Sequence, residues 1–303
     1  MDYLKRVPVS FNSKTVVGAF AGLGFFYTLN KTLAWAKQRK LTNTSQWDWS
    51  NEIVLVTGGS SGIGELVVRK LAERGIKVVS VDLRPPTSSF PSNVTFFELD
   101  VTSPDDIRKV AKSIRRDVGE PTVLINNAGV ASLKTILDET DQEIRRTFDV
   151  NVVAHFFLIR EFLPWMISQN HGHIITIASM ASFVTVASNI DYCCSKAAAL
   201  AFHEGLVQEL KHRYNASNIN VSIVHPMWIR TPMFEAVLKK GHFSDILLEP
   251  HDVADVIVAQ VIGGRSGQLF LPGYYSIGSM LRGLPTWVQE FIRDMRANLF
   301  TSS

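Results

Sequence analysis

A tyrosine and a lysine four positions apart, Tyr192 and Lys196, are the pair in this 303-residue sequence whose types and spacing most directly suggest chemistry. On a helix, positions i and i+4 lie on one face, so an ammonium can stand beside a phenol. It then favours the ionised form and draws a pKa of about 10 down toward working pH. A phenol tuned in that way can exchange a proton with a carbinol oxygen. Two more polar side chains fit around the pair: Ser179, just after the apolar run Ile174 to Ile177, and Asn151, in a stretch of helical pattern. The adjacent Cys193 and Cys194 read as small packing residues. The eight histidines show no metal-ligand spacing, and His171 and His173, either side of Gly172, read as solvated loop residues.

These groups need a scaffold that brings them to one edge. Ile53 to Thr57 (IVLVT) has the continuous apolar, β-branched character of a buried parallel strand. Gly58, Gly59, Gly62 and Gly64 follow, then Leu66, Val67, Leu71 and Ala72 at helical spacing. Strand, glycine turn and helix in that order bring a pyrophosphate against backbone N–H groups at a helix N-terminus. Gly58, Ser60, Gly62, Ile63 and Gly64 are the expected contacts there. The next strand, Val78 to Val81, ends at Asp82, whose carboxylate can accept from both ribose hydroxyls and repels a 2′-phosphate. NAD(H) is therefore favoured, with NADP(H) kept as the alternative by Arg84 nearby. A strand over Val94 to Glu98 follows, then a helix from Pro104 with Ser103 as N-cap and Asp106 closing a capping box. Val123 to Asn126 is the fourth strand, ending in the glycine-containing turn Asn126 to Gly129. Units of this length predict an α/β fold with a doubly wound parallel sheet and right-handed crossovers.

TGGSSGIG at 57–64, NNAG at 126–129, Ser179 and YCCSK at 192–196 together resemble the short-chain dehydrogenase/reductase family, over residues 52 to about 275. The resemblance implies a single-domain Rossmann fold, no metal, and hydride transfer between a nicotinamide and an alcohol or carbonyl. It implies that Tyr192 is the general acid/base, that Lys196 lowers its pKa and holds the nicotinamide ribose, that Ser179 orients the carbonyl oxygen, and that Asn151 joins a water-linked proton relay. Asp100 and Val101 match adenine contacts, Asn127, Ala128 and Gly129 line the cofactor, and Pro226, Ile229 and Thr231 fall on the segment that holds the carboxamide. One departure stands out. The family usually has Pro-Gly after the sixth strand, whereas His225, Pro226 and Met227 follow Val221 to Val224 here. A residue with a Cβ resists φ above zero, so Met227 puts the backbone beside the nicotinamide in question.

Composition and flanks set the surroundings. A hydrophobic fraction of 46%, a charged fraction of 19% and a mean hydropathy of +0.10 lean toward lipid contact or apolar ligands. A net charge of +3 is too small for a nucleic-acid footprint, and two cysteines cannot build a disulfide framework, which suits a reducing compartment. Val16 to Leu29 carries no charge. As a helix it would span about 21 Å of a hydrocarbon core of about 30 Å, and about 31 Å if extended to Ala36 with Lys31 snorkelling. It reads as a membrane anchor. Lys31, Lys37, Arg39 and Lys40 beyond it outnumber Lys5, Arg6 and Lys14 before it, which places the body on the cytoplasmic side. The Asn-x-Ser/Thr triplets read as chance, Asn93 and Asn220 falling at strand starts. Met233, Phe234, Val237 and Leu238 suit a flap over an oily substrate, and Trp287, Val288, Phe291, Ile292 and Met295, with Arg282, Arg293 and Arg296, an amphipathic helix that rests on a bilayer or packs on the domain.

The expected organisation is a hydrophobic anchor over 1–40, a linker over 41–51, the Rossmann domain over 52–275 and a C-terminal helix and tail over 276–303. The expected function is oxidation or reduction of a lipophilic retinoid, steroid or long-chain alcohol, ketone or aldehyde, at the endoplasmic reticulum or a lipid droplet. The partners are that substrate and a membrane or lipid-droplet surface, with no nucleic acid; a homodimer is compatible with the sequence. An NADPH-dependent ketone reductase of sphingolipid or glycerolipid synthesis is the rival enzyme, and a non-catalytic lipid-surface scaffold the rival of another class.

Overall fold

The computed structural model describes Trp47 to Phe300, apart from Lys240, Gly241, His242, Ser244 and Asn298, together with Phe25, Thr28, Leu29 and Thr32. The expected anchor lies almost wholly outside these residues. The four isolated positions are helical; Phe25 and Leu29 are exposed, and the Thr28 and Thr32 hydroxyls donate to carbonyls one turn back.

In chain order the strands are β1 (Ile53–Thr57), β2 (Lys77–Asp82), β3 (Val94–Glu98), β4 (Val123–Asn126), β5 (Gly172–Ile177), β6 (Ile219–Pro226), β7 (Trp228–Ile229), β8 (Leu247–Leu248) and β9 (Gly267–Leu271). Seven of the described strands form one parallel sheet, ordered β3-β2-β1-β4-β5-β6-β9, and β7 pairs with β8 beside it. The order reverses between β1 and β4, and a crevice opens outside the carboxyl ends of the strands at such a reversal.

The sheet is apolar on both faces because helices cover both. Ile53 and Leu55 enter one cluster with the helices Pro104–Asp117, Ala154–Gln169 and Ile190–His212, while Val54 and Val56 enter the other with Gly62–Ala72 and Pro250–Gly263. That is why β1 reads as a continuous apolar run. Each such side chain, fully buried, contributes about 1.5–3 kcal/mol of transfer free energy. Among the described residues one helical run, Asp141–Gln169, is long and apolar enough to cross a membrane, but half of it is buried and it serves here as a core element.

Several expectations need correction. His173 is not solvated: it lies within β5, fully buried, its Nε2 2.8 Å from Ser222 Oγ, and burial lowers its pKa to about 3. His171 is half-buried, 3.0 Å from Glu52 Oε1, because β5 begins earlier than its apolar run suggests. The capping box at Ser103 is half-formed. Ser103 Oγ accepts from Asp106 N at 3.2 Å, but the Ser103 N–H donates to Asp100 O, leaving the Asp106 carboxylate no donor to receive. Cys193 is buried as expected, whereas Cys194 points outward and is exposed. The end of the expected linker is packed: Trp47 stacks on Trp49 at 5.2 Å and lies against the second cluster. Asn93 and Asn220 are structural, their amides donating to Ala72 O and Ile76 O and to Gly264 O.

Candidate active site

A cavity of about 740 Å³ opens at the carboxyl edge of the sheet. Gly58, Gly62 and Ile63 of the glycine turn line it, with Asp82 at the end of β2, Asp100 and Val101 beyond β3, and Asn127, Ala128 and Gly129 after β4. Ser179, Tyr192 and Lys196 line it too, as do Pro226, Ile229 and Thr231. Ser60, Gly64 and Asn151 do not.

The turn explains two of the three. Gly58 and Gly62 adopt φ of +64° and +55°, which favours glycine, and a Cβ on Gly58 would stand 3.0 Å from Ala128 Cα. A Cβ on Gly64 would stand 2.1 Å from Gly58 O, so that glycine lets the helix start lie against the turn instead of touching a ligand. Ser60 is buried; its N–H donates to Asp82 Oδ2 at 3.1 Å and its hydroxyl has no partner, while Ser61 faces the cavity in its place. Sequence reasoning missed Thr57. Its hydroxyl accepts from the N–H groups of Asn127 and Ala128, both at 3.0 Å, and the Asn127 amide donates back to Thr57 O at 2.9 Å, fastening the two cofactor-side turns together. A hydroxyl ending a buried strand was the available signal.

Asn151 lies in a π-helical turn, Asp149–Val153, between two α-helices. Its Oδ1 accepts from Val130 N at 2.9 Å, and its amide donates to Val130 O and Ser195 Oγ at 2.9 and 3.0 Å. The side chain is thus committed to holding the loop after NNAG. Gly129 lies between: a Cβ there would be 3.5 Å from Asn151 Oδ1 and 3.7 Å from Lys196 Nζ.

Tyr192 and Lys196 share the helix Ile190–His212, with Lys196 Nζ 5.4 Å from the tyrosine ring centre, facing the cavity. The ammonium donates to Ile177 O at 2.8 Å. Burial lowers its pKa to about 8. Burial also pushes the Tyr192 phenol up to about 12, with the Ser179 hydroxyl pulling the other way. Desolvation is thus the leading influence on the phenol in this arrangement. Ser179 itself is held by Ala181 N, which donates to its Oγ at 3.1 Å. His225, given no role in the sequence analysis, backs it: Nδ1 lies 3.1 Å from Ser179 O while the ring stacks on Phe270.

Met227 is not strained. Among the described residues, non-glycine positions with positive φ are Leu133, Asn170, Ser188 and Asn215, and Met227 instead donates its N–H to Leu271 O at 2.8 Å. The sheet-edge pairing gives this backbone an ordinary conformation. Beyond it Trp228, Met233 and Phe234 form an apolar wall, the Trp228 ring stacked on Phe234 at 5.3 Å and met edge-on by Phe300. The flap pattern thus forms short helices, Pro232–Phe234 and Glu235–Lys239.

The short chain dehydrogenase profile matches residues 52–241. The chain belongs to the short-chain dehydrogenase family. It is an NAD(P)-dependent oxidoreductase on that ground, with the Rossmann-type fold of its family. Its sequence is 47% identical over 185 residues to dehydrogenase RED2 of Cochliobolus heterostrophus, covering 60% of this chain and 70% of the relative. It is 32% identical to epidermal retinol dehydrogenase 2 of Mus musculus (70% and 72% covered) and 38% identical to estradiol 17-beta-dehydrogenase 11 of Homo sapiens (74% and 75%). Among solved structures, 4-hydroxyisoleucine dehydrogenase complexed with NADH matches at a TM-score of 0.61 and 23% identity, over 73% of this chain and 96% of that one. A variant of ElxO with NADPH bound matches at 0.63 and 22%, over the same shares. The glycine cradle fits a dinucleotide, since a Cβ at Gly58 would close it against Ala128.

Proposed function

We propose that this short-chain dehydrogenase interconverts a lipophilic alcohol and its carbonyl, of the retinoid, steroid or long-chain class, with Tyr192 as the proton-transferring group. The observation that carries the reading is the convergence of Ser179, Tyr192 and Lys196 on a cavity that Met227, Trp228, Met233 and Phe234 also line. The names of the retinol and estradiol relatives point to the same class. Gly58, Gly62, Ile63, Asp82, Asp100, Val101 and Asn127 to Gly129 would hold the dinucleotide, with Pro226, Ile229 and Thr231 toward its nicotinamide end. Bound, it supplies or accepts the hydride.

The chain's own residues manage the proton and the geometry. Tyr192 Oη takes the carbinol proton during oxidation and returns it during reduction. The Ser179 hydroxyl fixes the substrate oxygen beside it, with His225 and Ala181 N fixing Ser179 in turn. Lys196 holds positive charge near the phenol and stabilises the phenolate once it forms. Asn151 positions Val130 and Ser195, which keeps the wall beside Lys196 in place.

Asp82 at the end of β2 favours NAD(H) by repelling a 2′-phosphate. Arg84, lining the same cavity, supports the second reading, an NADPH-dependent ketone reductase. Membrane association, at the endoplasmic reticulum or a lipid droplet with the body toward the cytoplasm, is supported by the apolar 16–29 segment. It is also supported by the exposed Trp287, Phe291 and Met295 on the helix Thr286–Asp294 and its end. Purified membranes carrying the full chain, offered retinoid, steroid and fatty alcohols with either cofactor, test this. Turnover with NAD⁺ on at least one of them is expected; a chain that reduces ketones only with NADPH gives the second reading, and none with any pair removes both.

A further inference from the structure

Asn189 has no part in the chemistry above. It lies one turn before Tyr192, at the N-cap of the helix Ile190–His212, and lines the cavity. An asparagine at that position ordinarily turns its side-chain oxygen onto an N–H of the first helical turn. Asn189 makes no such cap, although its main-chain carbonyl accepts from Cys193 N at 3.0 Å. The residue is 1% exposed, and neither Oδ1 nor Nδ2 has a hydrogen-bond partner.

An uncapped helix start and two buried polar atoms without partners both destabilise a fold. A leucine of similar size would remove the second cost. Neither amide atom meets a protein partner and the residue borders the cavity, so a ligand seated there is the partner the amide gains by turning outward. A side-chain amide presents a donor and an acceptor together, which suits a hydroxyl, itself both, or a carbonyl oxygen.

We propose that Asn189 is a specificity-determining residue whose amide binds a second oxygen of the substrate, close to the reacting carbon. The inference rests on the alcohol and carbonyl reading above and narrows it: lipophilic diols and hydroxyketones are taken in preference to plain alcohols of equal length. Tyr192 acts on one oxygen while Asn189, a turn away on the same helix, recognises the other. A site built to pair a substrate hydroxyl discriminates strongly against the analogue that lacks it, because its own polar atoms are then left bare.

The test compares dodecanol with its vicinal diol on the full chain in membranes with NAD⁺, in wild type and Asn189→Leu. Wild type is expected to favour the diol in kcat/KM by about tenfold or more, and Asn189→Leu to bring the two within about twofold with no fall in melting temperature. An unchanged preference in the variant overturns the proposal. So does an equal loss on both alcohols accompanied by a lower melting temperature, since that outcome marks a structural amide. If wild type oxidises neither alcohol, the long-chain arm of the functional reading fails, and Asn189 is judged by binding to the NADH-loaded protein. A melting-temperature rise with the diol that disappears in Asn189→Leu then supports the recognition role; equal rises, or none, overturn it.

Discussion

Tyr192 and Lys196 are each displaced from ordinary titration by the same cause. Burial raises the phenol to about 12 and lowers the ammonium to about 8, so neither charged form is comfortable alone. The proton given up in alcohol oxidation passes to the phenol, beside which Lys196 stands. The sign follows. Oxidation needs the proton-accepting form, so its kcat/KM should climb about tenfold per pH unit below the phenol's raised apparent pKa, while reduction stays level there and falls above it. Tyr192→Phe should abolish that limb and cut turnover by about 10²–10⁴, with NADH affinity and melting temperature near wild type. A pH–rate series on both proteins measures this, and undiminished rates in the phenylalanine variant refute the role.

At the scale of elements, the glycine turn makes a sharper demand than its ligand does. Gly64→Ala drives a methyl group to within 2.1 Å of Gly58 O, a backbone atom that cannot swing aside, so the helix Gly62–Ala72 must shift away from β1. We expect a loss of roughly 1–3 kcal/mol in stability together with weaker NADH binding, read by thermal melts with and without cofactor; an unaltered melt and affinity contradict it. The strands were legible because a parallel sheet buried on both faces leaves continuous apolar runs, as in Ile53–Thr57 and Val123–Asn126. The catalytic spacing was legible because helical periodicity alone stacks Tyr192 on Lys196. What escaped was set by partners distant in sequence. Whether His173 sits in a loop or inside β5 depends on pairing with Asn220, 47 residues on. Whether Ser60 faces a ligand or the interior depends on Asp82, and whether Asn151 is free or engaged depends on Val130.

For the molecule as a whole, the unusual quantity is the number of histidines withheld from water. Desolvation lowers His155 and His173 to about 3 and His203 and His225 to about 4. In the unfolded chain each would titrate near 6.5. Between those values the unfolded state binds more protons, so stability is complete above about pH 6.5 and drains away as pH falls, by up to about 1.4 kcal/mol per histidine per pH unit. Melting temperature should therefore be level between about pH 6.5 and 7.5 and drop steeply below pH 6, with a shallower slope in His173→Asn; a flat acid limb contradicts this. Neither the direction nor the size of the effect could be read from the sequence, where the same residues look like ordinary polar positions.

The neighbouring thiols offer an unplanned convenience to the experimenter. Cys193 is buried, its pKa raised to about 11, while Cys194 stands in solvent two residues from the phenol. At neutral pH a maleimide dye should couple to the outer sulfur alone, one fluorophore per chain, and mass spectrometry of the peptide would show it. The unmodified sequence thus comes equipped with a single reporter position beside the chemistry, usable for watching ligands arrive without engineering a new handle.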